Sequence, residues 1–242
     1  MFRTAFAIAV SLIASSASAS LITTGATPVT LVMTGFGQSN PGYAAVDITL
    51  LNHGSVAAGQ LKGTMDGQSF LTYCTDIYQS FNWNTPYTYT PVATGEIRAG
   101  QLVGFSAPQA DRLGKLYTSH GADVDTTVES AAFQLAVWEI VNETAATLNV
   151  SNGNGAFYVR AGGSNDSSNA QALANQWLTD ILRDGAAKSF DAKRLWNANQ
   201  QDFLIFTEIP DSVRITRVPE PASLALVGLA LAGLVAARRR TA

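Results

Sequence analysis

Short segments in which apolar and polar residues alternate lie between Tyr43 and Val103, and this pattern favours β-strands. Four of them read ITLLN, QLKGTM, SFLTYCTDIY and PYTYTPV, and Gly, Asn and Pro separate them. Asp66-Gly67 predicts a tight hairpin between two of these segments, because both residues readily adopt positive φ. A further strand, DFLIFTEI, follows near Phe203. The pattern therefore predicts a β-rich body.

The spacing of apolar residues becomes helical after residue 108, and three helices are predicted. The second opens at a capping box of Thr126 and Glu129 and includes AAFQLAVWEI. Ser168 precedes the third helix, and Gly185 stops it. The predicted fold class is α+β: a β-rich barrel or sandwich-like domain with a helical insertion at about residues 106–186.

The N-terminus has the three parts of a secretory signal peptide. Arg3 supplies a positive charge, the apolar run Ala5 to Ala14 follows, and Ala17-Ser18-Ala19 forms an A-x-A cleavage site. The run is too short to span a bilayer as a permanent anchor. We therefore predict a signal peptide at residues 1–19 and an exported domain at residues 20–210.

The C-terminus, residues 211–242, reads as a linker and a sorting signal. Val218-Pro219-Glu220-Pro221 precedes sixteen uncharged residues, 222–237, and Arg238-Arg239-Arg240 follows them. As a helix, the uncharged segment is about 24 Å long, a little short of the roughly 30 Å of a hydrocarbon core. We predict one C-terminal transmembrane helix, with the arginines in the cytoplasm and the body outside.

This tail resembles the PEP-CTERM sorting signal of Gram-negative bacteria, over about the last two dozen residues. The resemblance implies recognition by exosortase-type processing machinery and contact with the membrane through the C-terminal helix before processing. It also implies a location in the cell envelope, at the outer surface or in the extracellular matrix. A permanent single-span anchor is the alternative, and it would also leave the body outside the cytoplasm.

The composition of the body narrows its partners. Between Ser20 and Arg217, eleven Lys and Arg stand against seventeen Asp and Glu, a net charge of −6, so a nucleic-acid surface is not expected. About two hundred residues suffice for one substantial core or two small ones. Sparse charge with abundant Gly, Ser, Thr and Asn is typical of a secreted β-rich protein.

Cys74 is the single cysteine of this exported chain. It cannot form an internal disulfide, so it is buried and inert, pairs with another molecule, or is used chemically. On the predicted strand, Phe70, Thr72 and Cys74 alternate with Leu71 and Tyr73, which places the thiol on one face beside aromatic cover.

Gln134 stands in an apolar stretch of the second predicted helix, where a buried amide needs a partner. We predict that its partner is Cys74. If the two meet, the thiol can displace the amide nitrogen as ammonia and leave a Cys-Gln thioester. Such a bond needs protection from water, and Tyr73, Phe133 and Trp138 are the candidate shielding residues.

At these residues the chain resembles the thioester domains of bacterial surface adhesins. Cys74 follows an aromatic residue in TYCTD, and an apolar-Gln-x-x-apolar-Trp motif is matched by Phe133, Gln134, Val137 and Trp138. The order also matches, because the cysteine lies on the β part and the glutamine follows some sixty residues later on a helix.

The resemblance extends in outline over about residues 30–210. It implies the thioester pair, β-structure with a helical insertion, and an adhesin that captures a surface amine covalently. Because a thioester also reacts with other nucleophiles, a group on a polysaccharide is a further candidate target. The departures are Thr75, where an apolar residue is expected, and the setting, since such adhesins are mostly Gram-positive proteins with sortase tails. No catalytic residues, cofactor or metal are implied.

Three other functions remain open from the residues themselves. Gln134 could hydrogen-bond to backbone in a structural, exopolysaccharide- or biofilm-associated protein without covalent chemistry. A cysteine hydrolase would use Cys74 as nucleophile and His120 as base. Asp123 and Asp125 allow weak calcium binding. A site for a transition metal is not expected, because two histidines and one cysteine without close spacing do not form a ligand set.

Overall fold

The computed structural model describes residues 27–39, 41–51, 55–143, 146–161 and 163–210. The predicted signal peptide at 1–19, the linker and sorting signal at 211–242 and the transmembrane segment at 222–237 lie outside these ranges. Within them, no helix combines the length and the apolar character that crossing a membrane requires. The domain boundaries remain predictions.

Six antiparallel strands form the main sheet, in the order β10-β9-β6-β1-β4-β5. Two short hairpins, β2 with β3 and β7 with β8, lie outside it. The strand bounds are β1 Val29–Phe36, β2 Ala44–Asp47, β3 Ser55–Ala58, β4 Leu61–Met65, β5 Gln68–Thr72, β6 Pro86–Val92, β7 Ile97–Arg98, β8 Gln101–Leu102, β9 Phe190–Trp196 and β10 Phe203–Glu208.

The two edges of the main sheet meet just beyond β5. Cys74 and Phe203 form a single antiparallel bridge. The backbone N–H of Thr75 donates to the carbonyl of Asp202 (2.9 Å), and that of Leu204 donates to the carbonyl of Tyr73 (3.0 Å). We call this junction the seam. It turns an open sheet into a β-rich, nearly closed barrel-like one, which leaves little unpaired strand edge.

Local sequence explains the hairpin that carries the chain to the seam. Asp66 (φ 50°) and Gly67 (φ 81°) both occupy the left-handed region, as a two-residue turn of type I′ requires. The predicted hairpin is confirmed. The predicted strand ITLLN is wrong, because β2 ends at Asp47 and only Ile48 continues it, as a bridge to Val159.

Three helices follow the short hairpin of β7 and β8: α1 Ala107–His120, α2 Thr127–Asn142 and α3 Asn165–Ile181. The predicted capping box is confirmed, because the Thr126 hydroxyl accepts from the Glu129 N–H while the Glu129 carboxylate accepts from the Thr126 N–H. The third helix begins earlier than predicted, with Ser164 rather than Ser168 as its N-cap.

Helix α2 is the centre of the fold. Eleven of its sixteen residues are buried, on every side of the helix, because α1, α3 and the β2–β3 hairpin pack around it. A helix that is apolar on all sides is stable only when it is enclosed in this way. Polar side chains on α2 therefore need internal partners, and Gln134 and Glu139 are the two fully buried examples discussed below.

Glu139 holds the loop after α2 to the helix. Its side chain is buried, and its Oε1 accepts a hydrogen bond of 2.6 Å from the Asn149 N–H. Burial raises the pKa of Glu139 to about 7; the Asn149 hydrogen bond lowers this pKa, and the charge of Glu143 raises it. The folded protein therefore favours the protonated carboxyl.

Glu139→Gln should stabilise the protein above pH 7. A raised folded pKa means that the stability contributed by Glu139 is complete below its unfolded pKa of about 4.3 and is lost as pH rises toward 7. The neutral amide avoids this loss, which is at most about 4 kcal/mol for a rise of about 2.7 pKa units at 1.36 kcal/mol per unit. Chemical denaturation at pH 5 and pH 8 measures the effect, and a gain that is equal at both would contradict it. The exposed Glu208→Gln is the control.

Candidate functional site

Cys74 lies at the seam. The strand predicted for SFLTYCTDIY ends at Thr72, and Cys74 then pairs with Phe203 alone. Its side chain is 8% exposed, so the thiol is enclosed by the closing edges of the sheet. The predicted alternation is kept as far as Thr72, since Phe70 and Thr72 are buried and Leu71 is exposed.

Gln134 of α2 reaches the backbone of Cys74. The Cys74 N–H donates to Gln134 Oε1 at 2.9 Å, and Gln134 Nε2 donates to the Cys74 carbonyl at 2.9 Å. Gln134 is fully buried, and sixty positions separate the two residues in sequence. The structure therefore brings the predicted pair together through the backbone of one and the side-chain amide of the other. This hydrogen bonding is also what the structural alternative requires.

The surroundings of the thiol suppress its ionisation. Burial raises the pKa of Cys74 well above its ordinary value, the nearby charge of Asp76 adds to this rise, and a hydrogen bond with the Gln201 side chain acts against it. Cys74 is thus a neutral thiol at physiological pH. A cysteine hydrolase requires the reverse, a thiol whose pKa is lowered by a neighbouring imidazole.

Two of the predicted shielding residues, Tyr73 and Phe133, stack on each other. The rings of Tyr73 and Phe133 lie 4.4 Å apart and nearly parallel, and each residue is the immediate neighbour in sequence of one member of the pair. The Tyr73 hydroxyl accepts a hydrogen bond of 3.0 Å from Gln60 Nε2, which fixes the ring. Phe133 is fully buried.

Trp138, the third predicted shielding residue, lies in the wall of a cavity that also reaches Cys74. The volume of this cavity is about 240 Å³. It is lined mainly by apolar residues, and its aromatic and polar members are Phe36, Phe81, Trp83 and Trp138 together with Gln79 and Gln201. The thiol therefore has a route to a small molecule, although it is protected from bulk water.

His120 belongs to a different cluster. Its ring stacks on Trp177 at 4.8 Å, its Nδ1 lies 3.1 Å from Asp123 Oδ2, and its Nε2 lies 3.6 Å from Asp180 Oδ2. Among the described residues that line the cavity at Cys74, none is a histidine. His53 lies outside the described residues. The described structure therefore gives the predicted hydrolase base no contact with the thiol.

The described part of the chain contains no group of three His, Cys, Asp or Glu side chains that could hold a metal ion. Asp123 is engaged with His120, and Asp125 with Glu129, which raises the pKa of Asp125.

The sequence analysis did not predict two glutamines of the site. The Gln60 side chain contacts Tyr73, and the Gln201 side chain contacts the Cys74 thiol. Gln60 directly precedes β4 and Gln201 lies two residues before β10, and no local pattern distinguishes either from a surface glutamine.

The comparison with known families bears on the C-terminal tail. Residues 217–240 match the model of the PEP-CTERM protein-sorting motif, so the predicted sorting signal is confirmed. The motif implies export to the surface of a Gram-negative bacterium and processing by an exosortase, and it points to a non-enzymatic surface protein. A comparison with curated proteins found no match.

Among solved structures, the chain is similar to the N-terminal domain of the Streptococcus pyogenes pilus tip adhesin Cpa. The TM-score is 0.44 and the sequence identity is 12%, over 78% of this chain and 97% of that one. We draw nothing about function from a likeness of this strength.

Proposed function

We propose that this exported surface protein forms an internal thioester between Cys74 and Gln134 and uses it to attach covalently to a nucleophile on a surface or a polysaccharide. The observation that supports this most is the position of the Gln134 amide, fully buried and hydrogen-bonded to both backbone groups of Cys74. The proposal makes the protein an adhesin rather than an enzyme, because each molecule reacts once.

The hydrogen bonds suit the chemistry of thioester formation. When Cys74 Sγ adds to Gln134 Cδ, negative charge develops on Oε1, and the Cys74 N–H already donates to that oxygen at 2.9 Å. The Sγ–Cδ bond forms and the Cδ–Nε2 bond breaks. The thiol proton passes to the departing nitrogen, which leaves as ammonia.

Burial also favours persistence of the bond. A thiol with a raised pKa is a poor leaving group as its thiolate, so attack by water or by an amine is slow unless a proton is delivered to Sγ. Tyr73 and Phe133 limit the access of water, while the cavity admits a nucleophile. Attack by an amine at Gln134 Cδ then yields an amide, and Cys74 is released as a thiol.

The native mass is the direct test. Freshly purified, folded protein should be lighter than the mass calculated for the processed chain by one ammonia. Cys74 should resist a thiol-alkylating reagent until methylamine or hydroxylamine opens the bond. Gln134→Glu, which keeps the shape but loses the ammonia leaving group, is the matched control and should show its full mass. A full native mass with freely alkylated Cys74 in the parent protein would exclude the thioester.

A second function rests on the same hydrogen bonds. They satisfy the Gln134 amide without any reaction, as a structural, exopolysaccharide- or biofilm-associated protein would require. The native mass separates the two functions, because this second one predicts the full mass and no covalent adducts.

Sorting makes a separate prediction. If the matched motif directs processing, protein recovered from the cell surface should lack Arg238-Arg239-Arg240. Peptide mapping of the mature C-terminus measures this, and replacement of Pro219-Glu220-Pro221 by alanines should leave the tail in place. Recovery of the full tail from unaltered surface protein would show that the segment is a permanent anchor.

A further inference from the structure

The cavity beside Cys74 limits which nucleophile can approach. Its volume is about 240 Å³. This lies below the range of about 300 to 1,000 Å³ typical of pockets for drug-sized ligands. One six-membered ring with its substituents fills such a space, whereas a folded peptide segment does not enter it.

The absence of charged residues from the described cavity wall is the second limit on the nucleophile. Among the described residues that line the cavity, none is Asp, Glu, Lys, Arg or His. An ammonium group that enters loses its hydration and finds no counter-charge. At pH 7 only roughly one lysine side chain in a few thousand is uncharged, since its pKa is about 10.4, and the wall offers no base to remove the proton. The favoured nucleophile is therefore an amine with a pKa near neutrality.

The aromatic rings give the third limit. Trp83 is 42% exposed at the edge of the cavity and packs edge-on against Phe36 (5.6 Å) and Phe81 (4.8 Å). A surface of this kind binds the C–H face of a ring while leaving its polar edge free. Trp83 can therefore guide a sugar ring from solvent toward the thiol.

Polar atoms in the wall lack partners. Trp138 Nε1 and Gln79 Oε1 are buried, and neither has a hydrogen-bond partner among the described residues. One is a donor and the other an acceptor, and both side chains line the cavity. Both atoms are closed off from water, so a ligand hydroxyl reaches them only when these side chains shift, and the hydrogen bonds formed then offset the free-energy cost of the unpaired groups.

We propose that the cavity binds one uncharged 2-amino sugar ring and presents its amine to the Cys74–Gln134 acyl group. This inference rests on the proposed thioester and names its substrate class. The neutral amine nitrogen adds to Gln134 Cδ, the Cδ–Sγ bond breaks, and one amine proton passes to Sγ. The products are an amide to the sugar and the free thiol of Cys74.

Adduct formation by the purified protein at pH 7 tests the choice of amine. The probes are the methyl glycoside of glucosamine and butylamine at equal total concentration, followed by intact mass. We expect the sugar to react at least tenfold faster. Equal rates, or faster reaction of butylamine, would overturn the inference while leaving the thioester in place.

Two variants locate the selectivity. Trp83→Ala should slow the sugar at least tenfold and change the butylamine rate less than twofold, whereas Tyr78→Ala, at a 67% exposed aromatic outside the cavity wall, should change neither rate. The near-isosteric Gln79→Glu places a carboxylate in the wall, so it should lower the ratio of sugar to butylamine rates. A ratio that neither Trp83→Ala nor Gln79→Glu alters would contradict the assignment of this cavity.

Binding without reaction separates the two proposals. In Cys74→Ser no thioester can form, yet the sugar glycoside should still bind and change the tryptophan fluorescence, less so in Cys74→Ser with Trp83→Ala. If the parent protein forms no adduct with either amine but Cys74→Ser binds the sugar, the thioester fails and the cavity assignment stands. If Cys74→Ser binds no sugar, the cavity assignment fails whatever the thioester does.

Discussion

Gln134→Ala should abolish covalent attachment completely. The parent protein is expected to form an adduct with its target that survives boiling in detergent, linked through the side-chain carbonyl of Gln134. Without that carbonyl there is no acyl group to transfer. Cys74→Ala should have the same result, and the double variant should be no worse than either single one, because both residues act through one bond. Denaturing electrophoresis and peptide mapping measure the adduct.

His120→Ala is the control for this prediction. In the described structure His120 contacts Asp123, Asp180 and Trp177 rather than the thiol, so its loss should leave adduct formation nearly unchanged. Adducts that persist in Gln134→Ala would mean that the cysteine acts alone. Loss of activity in His120→Ala with retention in Gln134→Ala would favour a hydrolase and rule out the adhesin proposal.

Phe133→Ala should cause the largest loss of stability, about 3 to 5 kcal/mol in the free energy of unfolding. The ring is fully buried, stacks on Tyr73 at 4.4 Å, and meets Trp177 and Phe206 edge-on. Its removal leaves a cavity directly beside Gln134. We therefore also expect any thioester in this variant to hydrolyse faster than in the parent protein. Denaturant unfolding gives the first quantity, and the native mass followed over time gives the second.

Tyr78→Ala is the matched aromatic control, because Tyr78 is 67% exposed and should change stability by less than about 0.5 kcal/mol. If Phe133→Ala unfolds at the same denaturant concentration as Tyr78→Ala, the ring does not hold the site together as its contacts indicate. Phe133→Leu, which restores most of the apolar volume, should recover most of the lost stability.

Local chemistry predicted those elements whose signals lie within a few residues. The turn at Asp66-Gly67 and the cap at Thr126 and Glu129 depend on neighbouring backbone groups, so the sequence alone indicates them. The start of α3 differs from the prediction because Ser164, Ser167 and Ser168 are all able to cap a helix; Ser164 does so in the structure, and the other two lie in the first turn.

Two strands of the main sheet were missed for different reasons. In β1, Val29, Leu31 and Met33 are buried and alternate with less buried residues, and this alternation is visible in the sequence upstream of the predicted strands. In β9, the run FDAKRLW is rich in charge, and its strand character depends on pairing with β6 and β10. Such long-range pairing overrides local preference.

The sequence indicates the candidate pair through two residues that need an explanation, not through any pattern that places them in contact. A lone cysteine in an exported chain and a glutamine in an apolar helix each lacked an explanation, and the structure places them together. The other residues of the site could not be predicted from the sequence. Gln201 reaches the thiol only because the seam joins segments far apart in the chain, as in the bond from Thr72 Oγ1 to the Leu204 carbonyl across 132 positions.

The seam also has a mechanical meaning. The two edge strands of the sheet, β5 and β10, are joined just beyond β5 by one bridge at Cys74 and a few flanking hydrogen bonds, so the sheet is most easily pulled apart at this junction. A bond from Cys74 to Gln134 would fasten this weakest joint to the most deeply enclosed helix of the molecule. Capture of a target would break the bond between Cys74 and Gln134 and join the target to Gln134. Load would then enter the protein through its central helix, and the joint between the outer strands would be left free to give way.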